Sequence, residues 1–185
     1  MSTVELLAAL LGVINVVLVV RRSIWNYPFG LATVTLYFFV FQDSKLYSDA
    51  LLQIFFFAIN LYGWWNWTRA DKVDDRIAVG LMNLRARTTW IGGIIIGVLG
   101  WGTLMARFTD AASPFADATV AGMSVAAQLL QSRRRIESWI LWIAVDAMAI
   151  GLFASRELHI TVGLYAIFLV LAVAGLVEWK KKVTS

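Results

Sequence analysis

The chain alternates between long apolar runs and short polar breaks, and the runs set its architecture. Seven runs, at residues 4–20, 24–41, 46–67, 88–106, 115–131, 136–154 and 158–178, are divided by breaks rich in Arg, Lys, Asp and Ser. Each comes close to the ~20 residues that an α-helix needs to cross a hydrocarbon core. Asn26-Tyr27-Pro28 and Ser113-Pro114 read as helix starts, a capping side chain followed by a proline in the first turn. The pattern predicts an all-α integral membrane protein with seven transmembrane helices.

A second pattern lies over the first. Displaced by 112 positions, the two ends of the chain match without a gap: Arg21-Arg22 falls on Arg133-Arg134, Ile24 on Ile136, and Phe41 on Phe153. Leu46 likewise meets Leu158, Phe56 meets Phe168, Gly63 meets Gly175, and Trp67 meets Trp179. Apolar coincidences are common in such chains, so the arginine, glycine and tryptophan pairs carry the argument. The units are residues 1–67 and 113–179, each of three spans, with residues 68–112 as a cytoplasmic linker and linker helix and 180–185 as a cytoplasmic tail. Three spans end on the opposite side of the membrane from where they start. The extra fourth span therefore makes the two copies parallel, in a 3+1+3 order. Parallel repeats about an axis along the membrane normal are a transporter architecture, with substrate held where the repeats meet.

Charge then orients the chain. Thirteen of the sixteen basic residues fall in one alternating set of breaks and three in the other, so the N-terminus is expected outside and the C-terminus in the cytoplasm. This distribution accounts for the net charge of +4 without any nucleic-acid partner. The first residues lack the basic region and cleavage site of a signal peptide, and the first run is expected to stay as a helix. With no Cys and a single His, His159, thiolate chemistry is excluded and a metal site is not expected.

Polar residues inside the runs mark candidate chemistry. Asp146 is the ionisable side chain deepest in a span. A carboxylate there costs several kcal/mol unless it faces a cavity or a partner on another helix. Trp139, Trp142 and Asp146 share one helical face by spacing, as do Gln53, Asn60, Trp64 and Trp67. Asn60 lies seven residues from Trp67 and Asp146 seven from Trp139, which puts both roughly 10 Å inside the cytoplasmic interface. The polar groups are not duplicated: Asp146 matches Val34, Asn60 matches Ala172, and Gln53 matches Tyr165. An unduplicated pocket in a duplicated scaffold suits one asymmetric ligand. Aromatic faces beside a carboxylate suit a flat cation. The competing readings are an interfacial tryptophan belt for Trp64 and Trp67, and hydrogen bonds between helices for Gln128 and Asn15.

The run Asn26-Tyr27-Pro28-Phe29-Gly30-Leu31, the segment from Gln53 through Asn60 to Tyr62-Gly63-Trp64-Trp65-Asn66-Trp67, and Glu137-Ser138-Trp139 through Trp142 to Asp146 resemble the Pnu family of vitamin transporters. Leu46-Tyr47, Leu164-Tyr165 and Glu178-Trp179 extend the likeness, which covers both repeats and is closest to the family's nicotinamide riboside carriers. The resemblance implies two three-helix bundles joined by a linker helix, as in full-length SWEET sugar transporters, and a homotrimer in the bacterial inner membrane. It also implies facilitated diffusion of a small-molecule vitamin, followed by trapping through a cytoplasmic kinase. Gln53, Asn60, Trp139, Trp142 and Asp146 match the family's site motifs; Trp64 and Gln128 complete the set expected to bind substrate. Some relatives carry Asn at the position of Asp146, which leaves thiamine and riboflavin as alternative cargoes.

No Walker motif is present, so pumping by ATP is not expected of this chain alone, and no cofactor is implied. An integral-membrane enzyme would call for clustered His, Cys or paired acids, and only Asp146 stands at depth.

Overall fold

The computed structural model describes residues 3–43, 47–73, 75–109, 113–155 and 159–183. The expected starts of the third and seventh spans at residues 46 and 158, the unit boundary at 112, and Lys45 and Arg156 of the charge count lie outside them.

Seven helices follow in order: α1 Thr3–Val20, α2 Asn26–Asp43, α3 Tyr47–Thr68, α4 Leu84–Phe108, α5 Pro114–Ser132, α6 Glu137–Ser155 and α7 His159–Val183. Four of them, α1, α4, α6 and α7, are long and apolar enough to cross a membrane by composition. The others are diluted by residues such as Asn26 and Tyr27 in α2, Gln53, Asn60 and Asn66 in α3, and Asp117, Gln128 and Gln131 in α5. The outward faces of the helices carry large apolar side chains: Ile96 is 73% exposed, Phe108 78% and Val170 68%. Large apolar side chains turned outward on this scale fit lipid as the surrounding solvent.

One departure from the all-helical expectation occurs between α3 and α4. Lys72–Val73 (β1) and Arg76–Ile77 (β2) pair as a small antiparallel hairpin. It is too short to show as a strand pattern in the sequence, and Asp75 turns it with a φ of 56°. Ile77 is buried among Val19, Tyr27, Trp67, Ile136, Trp139 and Trp179, so the linker is pinned to the bundle end rather than free. Arg22 donates to the Ile77 carbonyl at 3.2 Å, and Glu137 accepts from both the Met82 N–H and Arg87 Nε at 2.9 Å.

The helices pack as a closed ring in which α1 touches α2, α2 touches α3, α3 touches α5, α5 touches α6, α6 touches α7 and α7 returns to α1. Helix α4 stands outside this ring, against α5. Small residues let the ring close: Ala8, Ala9 and Gly12 on α1, and Ala118, Ala126 and Ala127 on α5, are buried.

The turns on the arginine-rich side repeat bond for bond at a spacing of 112. After α1, Ser23 N–H reaches Leu18 O and Arg22 N–H reaches Val19 O, both at 2.9 Å; after α5, Arg135 N–H reaches Leu130 O and Arg134 N–H reaches Gln131 O, again at 2.9 Å. This is a Schellman closure, and Arg22 and Arg134 hold its left-handed position at φ 54° and 60°. The next side chains repeat as well. Tyr27 settles against Gly63, where an added Cβ would stand 2.6 Å from its hydroxyl, and Trp139 settles against Gly175, where one would stand 2.5 Å from the indole. Trp67 and Trp179 meet between the halves, each with an edge-on partner, Tyr27 and Trp139 respectively. Together they form an aromatic floor across this end of the ring.

Candidate functional site

Away from that floor lies a cavity of about 140 Å³ lined by Asn15 of α1, Gly30, Thr33 and Val34 of α2, Phe56 and Asn60 of α3, Gln128 of α5 and Trp142 of α6. Five of the six ring helices therefore contribute to one wall. Gly30 is the residue that opens it. A Cβ at Gly30 would fall 2.8 Å from both Asn15 Nδ2 and Asn60 Oδ1, so only hydrogen lets α2 pass between the two amides.

The polar groups of the wall are held from behind. Asn15 Nδ2 donates to the Asn26 carbonyl at 2.7 Å, and Asn60 Nδ2 donates to Phe56 O at 2.9 Å, which leaves the Asn60 oxygen facing Gly30. Trp142 donates its indole N–H to Gln131 Oε1 at 2.7 Å and is thereby fixed in orientation. Gln128 has no side-chain partner among the described residues, so both its donors and its acceptor are available to a ligand.

Of the residues expected to bind substrate, Asn60, Gln128 and Trp142 share this wall. Gln53, two helical turns along α3 from Asn60, stands half-buried outside it. Trp64 stacks on Tyr27 with centroids 6.4 Å apart and planes 7° from parallel, beside the aromatic floor. Trp139 is 1% exposed and wedged between Gly175 and Trp179, so its place is in the floor. Asp146 is 4% exposed, one turn from Trp142 on α6, and is not part of the wall. Among the described residues it has neither a hydrogen bond nor an ion pair. A carboxylate buried without a partner is costly, and it is the charged group nearest in sequence to the wall tryptophan.

Spacing missed Gly30, Thr33, Val34 and Phe56, and left Asn15, like Gln128, between a ligand contact and a helix-to-helix hydrogen bond. The signal for Gly30 was present in the repeat, because its mate at 112 positions is Trp142. Both line the same cavity, one as the smallest residue and the other as the largest, so the hollow lies toward the first half.

The profile of a family described as nicotinamide mononucleotide transporter matches residues 2–181. The nicotinamide riboside transporter PnuC of Escherichia coli (strain K12) is 28% identical over 204 residues, spanning 97% of this chain and 85% of that protein. The riboflavin/roseoflavin transporter RibM of Streptomyces davaonensis is 26% identical, spanning 95% of this chain and 83% of its own. A crystal structure of the vitamin B3 transporter PnuC superposes with a TM-score of 0.83 at 25% identity, covering 98% of this chain and 82% of that one.

Proposed function

The chain belongs to the nicotinamide mononucleotide transporter family, and from that premise we propose that it carries nicotinamide riboside across the bacterial inner membrane by facilitated diffusion. The observation that carries this reading is the cavity itself. Two halves with matching turns and matching aromatic packing enclose one hollow whose polar lining is not matched. Asn15, Asn60 and Gln128 stand opposite Ala127, Ala172 and Val16 in the repeat. A lone asymmetric solute on the axis needs that arrangement, and a purely structural bundle does not.

In this reading α1–α3 and α5–α7 are parallel three-helix repeats, α4 joins them as a linker helix, and all seven helices cross the bilayer. The arginine-rich end faces the cytoplasm, with the N-terminus outside. Asn60 and Gln128 bind the ribosyl hydroxyls or the carboxamide, Trp142 stacks on the pyridinium ring, and Asp146 balances its charge. Gln53 and Trp64 lie on the path toward and away from the wall, and Trp139 acts by positioning α6 against α7. At about 140 Å³ the hollow is smaller than the roughly 300 Å³ at which ligand pockets begin. Loading therefore widens it, and the contacts α1–α7 and α3–α5 between the halves are where the two repeats rock apart. Entry is followed by trapping through a cytoplasmic kinase, the functional unit is a homotrimer, and the chain carries out no chemical step itself.

Uptake of labelled nicotinamide riboside into proteoliposomes tests the proposal. Saturable uptake that reaches the external concentration and stops there supports facilitated diffusion. Accumulation above that level under a proton gradient, or no uptake at all, sinks it. The similarity to RibM favours riboflavin as the second cargo to be tried, with thiamine, an aromatic cation, beside it as a competitor.

A further inference from the structure

A second and larger cavity, of about 320 Å³, opens on the arginine-rich side, between the start of α4 and the turn joining α5 to α6. Leu81, Met82, Asn83, Ala86, Trp90, Leu130, Arg133 and Arg135 line it, and no acidic residue does. We propose that it binds a phosphate group, presented by the headgroup of an anionic phospholipid.

Charge and position point to an anion. Arg133 lies over the Trp90 ring with its guanidinium carbon 5.9 Å from the centroid, and Arg135 donates to the Leu81 carbonyl at 3.2 Å. Both guanidinium groups carry five N–H donors, more than these contacts use. Arg85 and Arg87 add two cations in the first turn of α4, the end of a helix that favours negative charge. Glu137 is the acid at hand, and its Oε1 is already taken by Arg87 and Met82. A phosphate in the cavity relieves this crowding with charge-assisted hydrogen bonds from both arginines. Asn83 caps α4 by accepting from Ala86 N–H at 2.8 Å, which fixes the helix start at the cavity's edge.

The duplicated turn shows that the arginine pair is specific to this place. Its counterpart after α1 reads Arg21-Arg22-Ser23, where this one reads Arg133-Arg134-Arg135. The backbone is the same, yet the third position is a serine in the copy that has no α4 beside it and an arginine in the copy that does.

The surface beyond the cavity selects a lipid over a free ion. Ala86, Trp90, Gly93, Gly97 and Trp101 are spaced four, three, four and four, hence on one face of α4. A Cβ at Gly93 or at Gly97 would meet nothing within 4 Å, so this face of α4 beyond Trp90 is bare backbone open to lipid. Trp101, 47% exposed, stands at the far end of that strip. An acyl chain lying along the strip leaves its headgroup between the arginines.

The test uses the full-length purified protein, stripped of lipid in neutral detergent and titrated with phosphatidylglycerol, phosphatidylcholine or inorganic phosphate while native mass spectrometry counts bound molecules. One phosphatidylglycerol per chain is expected to bind saturably, with phosphatidylcholine about tenfold weaker. Arg133→Gln should weaken phosphatidylglycerol about tenfold, the loss of a charge-assisted contact. Gly97→Leu covers the bare strip of α4 far from the arginines and should weaken the lipid while leaving inorganic phosphate unchanged. Both variants keep vitamin binding, which certifies their fold. Equal binding of the two lipids, or no effect of Arg133→Gln, overturns the proposal. Displacement of phosphatidylglycerol by inorganic phosphate with no effect of Gly97→Leu assigns the site to a free anion and overturns the lipid.

Discussion

Trp67 and Trp179 stand 6.2 Å apart, and each donates its indole N–H to a backbone carbonyl in the other half of the chain, Trp67 to Gln131 and Trp179 to Val19, at 3.3 and 3.2 Å. Gln131 and Val19 are themselves 112 residues apart, so these are two copies of one bond. Each bond ties the last helix of one half to the first helix of the other, the same pairs that close the ring. The floor is thus the seam at which α3 meets α5 and α7 meets α1.

Replacing either tryptophan by phenylalanine keeps an aromatic ring but removes the N–H and leaves a small cavity. Trp67→Phe and Trp179→Phe should each destabilise the fold by about 2–3 kcal/mol, one buried hydrogen bond plus the lost packing. Thermal unfolding in detergent reads the effect. Because the rings touch, the double variant should depart from the sum of the single ones. A large loss for one and none for the other would contradict the equivalence of the two bonds.

The glycines beneath the floor make a sharper case. An alanine at Gly175 would place its Cβ 2.5 Å from the Trp139 indole, and one at Gly63 would stand 2.6 Å from the Tyr27 hydroxyl. Neither ring can retreat far, since Trp139 is 1% and Tyr27 3% exposed. Gly175→Ala and Gly63→Ala should cost about 1–3 kcal/mol as overpacking. Gly163→Ala, with nothing within 4 Å of its Cβ, is the control and should be neutral or slightly stabilising as a helix substitution. An equal loss in all three would mean that packing is not the cause.

These particulars show what could be read in the chain and what could not. The recurring turns were legible because arginine, glycine and tryptophan pairs 112 residues apart are rare enough to stand out, and the helix bounds recur at nearly the same spacing. Asn60, Gln128 and Trp142 were legible because a polar or aromatic residue in an apolar run has few places to go. Spacing puts Trp139 on the face of Trp142 and Asp146, and the structure packs it into the floor, since Gly175 on another helix makes a slot for it that no pattern along α6 records. Gly30 was overlooked because a residue with no side chain shapes a cavity by absence. The hairpin escaped because two residues per strand are too few for a period.

The cavity can be tested through the residue that holds it rather than through those that touch the ligand. Gln131 Oε1 accepts from the Trp142 indole at 2.7 Å and is not itself in the wall. Gln131→Leu should leave Trp142 in place but free to turn, and weaken vitamin binding by about three- to tenfold, as one lost hydrogen bond allows. The fold should also lose about 1 kcal/mol, because the Trp142 N–H is left without its acceptor, so affinities are compared well below the unfolding midpoint. Isothermal titration with nicotinamide riboside measures it. Gly30→Ala is the complement: its Cβ displaces the Asn15 and Asn60 amides, so it should abolish binding. Retained binding in Gly30→Ala would show that the ligand sits elsewhere.

Asp146 carries the last and most discriminating expectation. It is 4% exposed, one turn beyond Trp142, with no cationic partner among the described residues. If its charge serves the cargo, the benefit belongs to cations alone. Asp146→Asn keeps size and polarity, so it should weaken nicotinamide riboside about ten- to hundredfold, the worth of a hydrogen bond to a charged group. It should leave neutral riboflavin unchanged or improved, because an uncompensated buried charge has been removed. The ratio of the two affinities is the readout, and general damage to the fold cancels from it. Equal loss for both ligands would make Asp146 a structural carboxylate, and the selection of a cation would have to come from the tryptophan face alone.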